Sequence, residues 1–313
     1  MEIRSLGASG LKVPVVGVGT WINFSSIEDY RPLVTKALEE GIFHFDTADL
    51  YGALPGWSED LLGKTLQGFR RSSYVLATKV CTQVGDMAND KGLSRKHIME
   101  SCERSLCRLR TDYLDIYYCH RFDQETPLHE TMDAFATLKN QGKILYVGIS
   151  MWDADHIREF CELAKEYKVQ VIANQVLYNV LQRPSKDVLQ VCREYGVGLL
   201  AYSPLAQGLL TGKYLSGIPE SSRAATPNRN KWLIKLFEDG DLKEGMESFA
   251  QICEKANIPL IEAAYGWLLS RENVAGTVSG FRNLDQLEEV LQLKYDIPQH
   301  VLNEIDDVYF QIK

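Results

Sequence analysis

Apolar residues along this chain keep changing period. Short runs such as VPVVGVGT (13–20) and IFHFDTA (42–48) read as buried strands. Between them Tyr30, Leu33, Val34, Ala37 and Leu38 fall on one helical face, and the pattern stops at Gly41. The alternation predicts further strands near 74–80, 113–119, 145–150, 169–175, 197–203 and 274–280. Helical spacing covers Ser94–Leu109, Pro127–Asn140, Ala154–Tyr167 and Ser185–Tyr195. Eight strands result, seven of them separated by helix-length crossovers, and no shift of composition marks a domain boundary.

Two α/β solutions accommodate that order, an open doubly wound sheet and a closed (β/α)8 barrel. Eight strands in 313 residues favour the TIM barrel, as one domain over 1–313. The open sheet wants a dinucleotide fingerprint after its first strand. GVGTWI (17–22) lacks the third glycine, and no helix follows at once. Ahead of the first strand, IRSLGASGLKV (3–13) alternates on both sides of a glycine turn and predicts an N-terminal β-hairpin, placed to plug the barrel bottom. After strand 7, segment 204–242 is too long for a routine connection and is expected to be a functional loop.

Composition narrows the partners. Hydrophobic residues make up 45% and charged ones 24%, a soluble globular mixture. A net charge of −8 argues against nonspecific nucleic-acid binding. Seven cysteines (81, 102, 107, 119, 161, 192 and 253) contain no CxxC pair and read as reduced core thiols. MEIRSLGASG lacks the apolar core of a signal peptide, and no run nears 18 apolar residues, so a cytoplasmic protein without a membrane partner is expected.

Barrel chemistry sits at the C-terminal strand ends. Those ends carry Asp46 after IFHF, Lys79 after YVLAT and His120 after YLDIYYC, with Tyr51 on the loop five residues past Asp46. Each alone has a plain reading: a capping Asp, a solvated Lys, a structural His, a loop Tyr. Together, on three neighbouring strands, they fit one task. Lys79 favours a Tyr51 phenolate, Asp46 holds Lys79, and His120 hydrogen-bonds the same oxygen region, making the phenol acidic enough to give up its proton. Nothing has metal-ligand spacing, and no Ser or Cys is paired with a base.

The set GVGTW (17–21), FDTADLYG (45–52), TK (78–79), CHRFD (119–123), GIS (148–150), NQVLYN (174–179), AYSPLAQGLLTGKY (201–214) and SGFRNLDQLEEV (279–290) resembles the aldo-keto reductase family, over essentially the whole chain. LSRKHI (93–98) and GIPESSR (217–223) look most like the branch of potassium-channel β subunits and their bacterial relatives. The resemblance implies a barrel that reduces aldehydes or ketones with a nicotinamide cofactor, taken as NADPH from Arg282 below, and a catalytic tetrad of Asp46, Tyr51, Lys79 and His120. It also implies a cofactor lying across the barrel mouth. Ser150 and Gln175 would bond the carboxamide, and Tyr202 would stack on the nicotinamide. Ser203, Leu205 and Gln207 would face the pyrophosphate, with Lys213 and Arg223 clasping it. Gly19, Thr20, Trp21, Asp46, Pro204 and Gly280 complete the set, and Gln286 and Glu289 match positions at the adenosine end. SGFRN also leads into a helix whose first N–H groups suit a phosphate, and Arg282 adds a planar fork there that points to the 2′-phosphate; a surface cap is the plain alternative. Met151 and Val290 depart from the family pattern beside the carboxamide and adenine positions.

Two other functions stay open at this point. One is a redox-sensing regulatory subunit like the channel β subunits, against which His120 speaks. The other is an NAD-dependent sugar or polyol dehydrogenase, against which Arg282 speaks. Trp21, Trp57, Phe122 and Trp152 are candidates for an aromatic substrate pocket. The partner is a small carbonyl compound, with room for a homo-oligomer.

Overall fold

The computed structural model describes residues 1–21, 26–220, 222–225 and 239–311, the side chains at 223 and 309–311 excepted. The chain starts with an antiparallel hairpin, β1 (Ile3–Ser5) and β2 (Lys12–Pro14). Eight strands then close a barrel: β3 (Val16–Gly19), β4 (His44–Asp46), β5 (Val75–Val80), β6 (Leu114–Cys119), β7 (Ile144–Ser150), β8 (Val171–Leu177), β9 (Gly198–Tyr202) and β10 (Val274–Ser279). They follow one another in chain order, and β10 pairs back onto β3 through Thr277↔Val16 and Ser279↔Val18. The fold is a TIM barrel.

The expected first strand is two pieces. Val13 and Pro14 belong to the hairpin, while Val16 onward belongs to the barrel. The switch falls where Pro14 has no N–H to donate; the Val15 N–H that follows still bonds Glu2 O at 3.0 Å. Leu6, at the hairpin turn, packs with Val13, Val75, Ile116, Ile172, Leu200 and Ala275 in one buried cluster. The hairpin therefore plugs the barrel. Gly7 is required there, since a Cβ at this position would lie 2.3 Å from the Gly196 carbonyl oxygen and its φ is +57°.

Helices α1 (Ile27–Glu39), α2 (Trp57–Leu66), α3 (Arg95–Leu109), α4 (Leu128–Asn140), α5 (Ala154–Glu166) and α6 (Lys186–Glu194) fill the crossovers up to β9. Ser94 and Ser185, which head two of the expected helices, are N-caps, accepting from His97 N and Val188 N at 3.3 Å each. Such a cap contributes about 1 kcal/mol. Later come α7 (Gly240–Ala256), α8 (Leu260–Leu269), α9 (Leu284–Leu291) and α10 (Gln299–Gln311). Among the described residues no helix is long and apolar enough to cross a membrane.

The chain forms two compact units. The first comprises residues 1–176, 185–200 and 275–291 and contains most of the barrel wall; the second comprises 177–184, 201–274 and 292–313. Of the expected 204–242 loop, 221 and 226–238 lie outside the described residues. The rest holds 3-10 turns at Ala206–Thr211 and Arg223–Ala225 before α7 begins.

Candidate active site

Strand periodicity delivers the chemistry to one place. In β5, Val75 and Ala77 face the buried cluster, so Lys79 is next on that face. In β6 the same parity runs Ile116, Tyr118, then His120 just past the strand, and in β4 it runs His44 to Asp46. The interior thus changes from apolar to charged toward the C-terminal strand ends. Glycine makes room for the layer below. A Cβ on Gly148 would meet the Tyr118 ring at 2.2 Å, and one on Gly17 would meet His44 Nδ1 at 2.7 Å.

All four expected catalytic residues come together in the first unit. Lys79 is fully buried, and its Nζ donates to Asp46 Oδ1 at 2.5 Å and to the Thr47 carbonyl at 2.7 Å. An ammonium has three N–H bonds. With two committed, the remaining one serves the Tyr51 side, where Nζ lies 4.8 Å from the ring centroid. Tyr51 Oη and His120 Nε2 are 3.4 Å apart, with the rings edge to face. Asp46 is fixed from a second direction by Gln175 Nε2 at 2.8 Å, and Ser150 Oγ donates to the Gln175 carbonyl at 3.0 Å.

Each charge state has a physical cause. Burial pulls the Lys79 pKa down, but the charges of Asp46 and Tyr51 outweigh it and the net direction is up, so Lys79 stays an ammonium. Burial, reinforced by Lys79 and then Arg121, pushes His120 down to about 2, which leaves a neutral imidazole. Burial also raises Tyr51, with Lys79 opposing it. The expected acidic phenol is corrected in this respect: in the free protein desolvation outweighs the ammonium. The result is a phenol that keeps its proton at neutral pH, the form a general acid needs. Beneath the tetrad, burial takes His44 down to about 4, and neither of its nitrogens finds a partner among the described residues.

The expected cofactor residues are distributed over both units. In the first, Thr20 is buried and bonds Thr47 through their hydroxyls at 2.9 Å, while Trp21 is 39% exposed beside it. Gly19 is tightly packed, a Cβ there meeting Val278 at 2.8 Å, and Gly280 and Arg282 are exposed at the neighbouring β10 end. Gln286 Oε1 accepts from Arg282 N at 2.9 Å and Asn283 caps Gln286 N at 3.1 Å, so Gln286 closes the start of α9; Glu289 is exposed on it. Val290 is buried and packs in the core, whereas Met151 is exposed with φ +60°. In the second unit, Tyr202 is half-buried at the end of β9 and Pro204 is buried. Ser203, Ala206, Gln207 and Gly208 all have φ between +45° and +100°, and Asn179 Nδ2 anchors the Ser203 carbonyl at 3.1 Å. Leu205 O accepts from Gly208 N and Leu210 N within that turn, and Lys213 lies over the Tyr214 ring at 4.9 Å. Such a run of left-handed residues is costly and is characteristic of functional loops. Arg223 contributes backbone to a turn, and its side chain lies outside the described residues.

Of the aromatic candidates, Phe122 and Trp152 pack on each other at 5.1 Å, with His156 stacked on Phe122 at 3.6 Å. Trp21 and Trp57 are instead exposed. Among the described residues no group of His, Cys, Asp or Glu is placed to hold a metal. Sequence reasoning missed three members of this neighbourhood: the Thr47 carbonyl, buried Asp49 and Arg121. Asp49 was visible in the same FDTADLYG run, and Arg121 beside His120.

Barrel and site together set a buried phenol beside a neutral imidazole, with a paired, buried ammonium at its back, at the strand ends where enzymes of this fold carry their chemistry. A model of the Aldo/keto reductase family matches residues 15–309. The L-glyceraldehyde 3-phosphate reductases of Escherichia coli O157:H7 and of E. coli strain K12 are 36% and 35% identical to the chain over 302 residues, which cover 93% of it and 87% of each of them. The chain belongs to the aldo/keto reductase family of oxidoreductases.

Proposed function

We propose that the protein, with residues 1–313 serving as one catalytic domain, reduces a short aldehyde or ketone to an alcohol with NADPH and uses Tyr51 as the proton donor. The observation that carries this reading is the Tyr51–His120 couple at 3.4 Å, backed by a fully buried Lys79 held on Asp46. A bound reduced nicotinamide supplies the hydride. The chain's residues do the rest. Neutral His120 offers an N–H toward the carbonyl oxygen, and Tyr51 transfers its phenolic proton there as negative charge develops. Lys79 offsets the charge left on the phenolate, which burial would otherwise make costly. In the reverse direction the same phenolate would take the proton back.

The donor set suits a nicotinamide dinucleotide. Ser150 and Gln175 would hold the carboxamide, Tyr202 would stack on the nicotinamide, and Ser203, Leu205 and Gln207 would face the pyrophosphate. Lys213 and Arg223 would add charge. Exposed Arg282, at the start of α9 with Gly280, would read the 2′-phosphate, which supports NADPH over NADH. The two E. coli relatives, named for reducing L-glyceraldehyde 3-phosphate, support a short aldehyde. LSRKHI and GIPESSR support the branch that includes potassium-channel β subunits. Free thiols throughout the described chain suit a reducing cytoplasm.

The test is steady-state oxidation of NADPH by the purified protein with short aldehydes, for the native chain and for Tyr51→Phe. The variant should lose at least about 100-fold in turnover. Near-native turnover by Tyr51→Phe would sink the assignment. Binding of NADPH with a single oxidation event only would favour a sensor.

A further inference from the structure

One cation at the site is not used by this mechanism. Arg121 directly follows His120 where β6 gives out, and it is exposed. Its charge reaches both reacting groups, since it lowers the pKa of Tyr51 and of His120. Among the described residues the guanidinium makes no ion pair or hydrogen bond. Of the carboxylates of this neighbourhood, Asp123 and Asp46 are taken, and Asp49 is buried with no hydrogen-bond partner among the described residues. Asp123 accepts from Leu93 N at 2.7 Å, Glu125 N at 3.0 Å and Thr126 Oγ1 at 2.7 Å. Asp46 is bound by Lys79 and Gln175. A surplus positive charge therefore stands beside Tyr51 and His120 in a chain whose net charge is −8.

We propose that Arg121 is the specificity-determining residue that selects carbonyl substrates carrying an anionic group, phosphate or carboxylate, a few atoms from the reacting carbon. The inference rests on the reductase reading above and names its substrate class. A guanidinium offers a planar pair of N–H donors that matches either oxyanion. A neutral aldehyde leaves Arg121 hydrated, so it forgoes that contact at little penalty. The contact holds the substrate and takes no part in the chemistry, so it belongs in KM rather than kcat.

The experiment uses matched pairs with NADPH: glyceraldehyde 3-phosphate against glyceraldehyde, and succinic semialdehyde against butanal. For Arg121→Gln, the charged-to-neutral ratio of kcat/KM should fall about 10- to 100-fold, the scale of a charged hydrogen bond, mostly through KM. Arg121→Lys should recover part of it, and added salt should erode the native preference. A fall confined to one pair identifies phosphate or carboxylate as the group read. Equal losses for charged and neutral members, or a native enzyme without preference, would overturn the proposal. If the native protein reduces none of the four, the reductase reading fails separately. Arg121 is then judged by fluorescence titration with glycerol 3-phosphate against glycerol, where equal affinity of native protein and Arg121→Gln overturns it.

Discussion

Two aspartates, one in each unit, show how differently this chain treats a carboxylate. Asp306, on α10 in the second unit, accepts from Arg183 Nη1 at 3.2 Å, from Arg271 Nη1 at 2.9 and 3.0 Å, and from Trp267 Nε1 at 3.0 Å. The two guanidinium carbons stand 4.4 and 4.8 Å from the indole centroid, so the fully buried Trp267 makes cation–π contacts with both as well. Asp49, in the first unit, is 1% exposed, and neither carboxyl oxygen has a partner in hydrogen-bond geometry among the described residues. Burial raises its pKa well above the ordinary value and nearby Glu59 adds to this; Arg108 opposes it, as does the Leu50 N–H, which stops short of bonding. The satisfied cluster staples helices. The unsatisfied one lies three residues from Asp46 and two from Tyr51, where His44 and His120 Nδ1 are also left unpaired. Unpaired buried groups cost stability, and these stand next to the residues proposed to react.

The sharpest way to break this contrast is to remove the buried cation that pairs with Asp46. Lys79→Met should cut turnover by about a hundred- to ten-thousand-fold at neutral pH, because burial and Asp46 would then raise the Tyr51 proton affinity with only Arg121 opposing them. It also leaves Asp46 with Gln175 as its side-chain partner, so melting should be measured alongside. Asp46→Asn should be milder, Lys79 keeping its charge and the Thr47 carbonyl. Native pH–rate profiles for both variants would show that Lys79 does not govern the phenol.

Why the tetrad was legible and Asp49 was not is a matter of range. A strand's two-residue period is local, so Lys79 and His120 could be assigned to the inner face and the mouth from their own strands. The barrel followed from counting alternations, and its hairpin plug from one turn. Gln175 reaches Asp46 across 129 positions of sequence, which no local period encodes. Likewise Asp49 is buried because the loop above β4 folds over it, with Gly56 N on the Asp49 carbonyl at 2.6 Å. The sign of the Tyr51 shift needed the depth of burial, and strand order does not carry that. Pro14 shows the local limit: VPVVGVGT is one apolar run, yet two sheets divide it.

In the second unit the comparison predicts loss. Asp306→Ala would leave three donors on Arg183, Arg271 and Trp267 without their acceptor. The pairs are part-exposed, with 13%, 20% and 32% side-chain exposure for Arg183, Arg271 and Asp306, so solvent recovers some of the penalty. A stability loss of about 2 kcal/mol is expected, between surface and buried pairs. Urea unfolding checks it, together with kcat per folded molecule. A neutral variant would mean that the cluster is a surface ornament and that the contrast with Asp49 is empty.

At Asp49 the sign reverses. The folded pKa lies above the value in the unfolded chain, so between the two the folded state holds a proton that the unfolded chain has released. Any stability linked to that proton is complete below the unfolded value and is lost as pH rises through the folded one. Asn has nearly the same shape and cannot ionise. Asp49→Asn should therefore be more stable than the native protein at pH 7, by about 1 kcal/mol or somewhat more, the scale of an uncompensated buried polar group. The advantage should shrink as pH falls toward 4, where the unfolded aspartate takes up its own proton. Paired urea titrations across that range read both features. A variant less stable than native at every pH would mean that Asp49 is charged and partnered, and that the two aspartates follow the same rule.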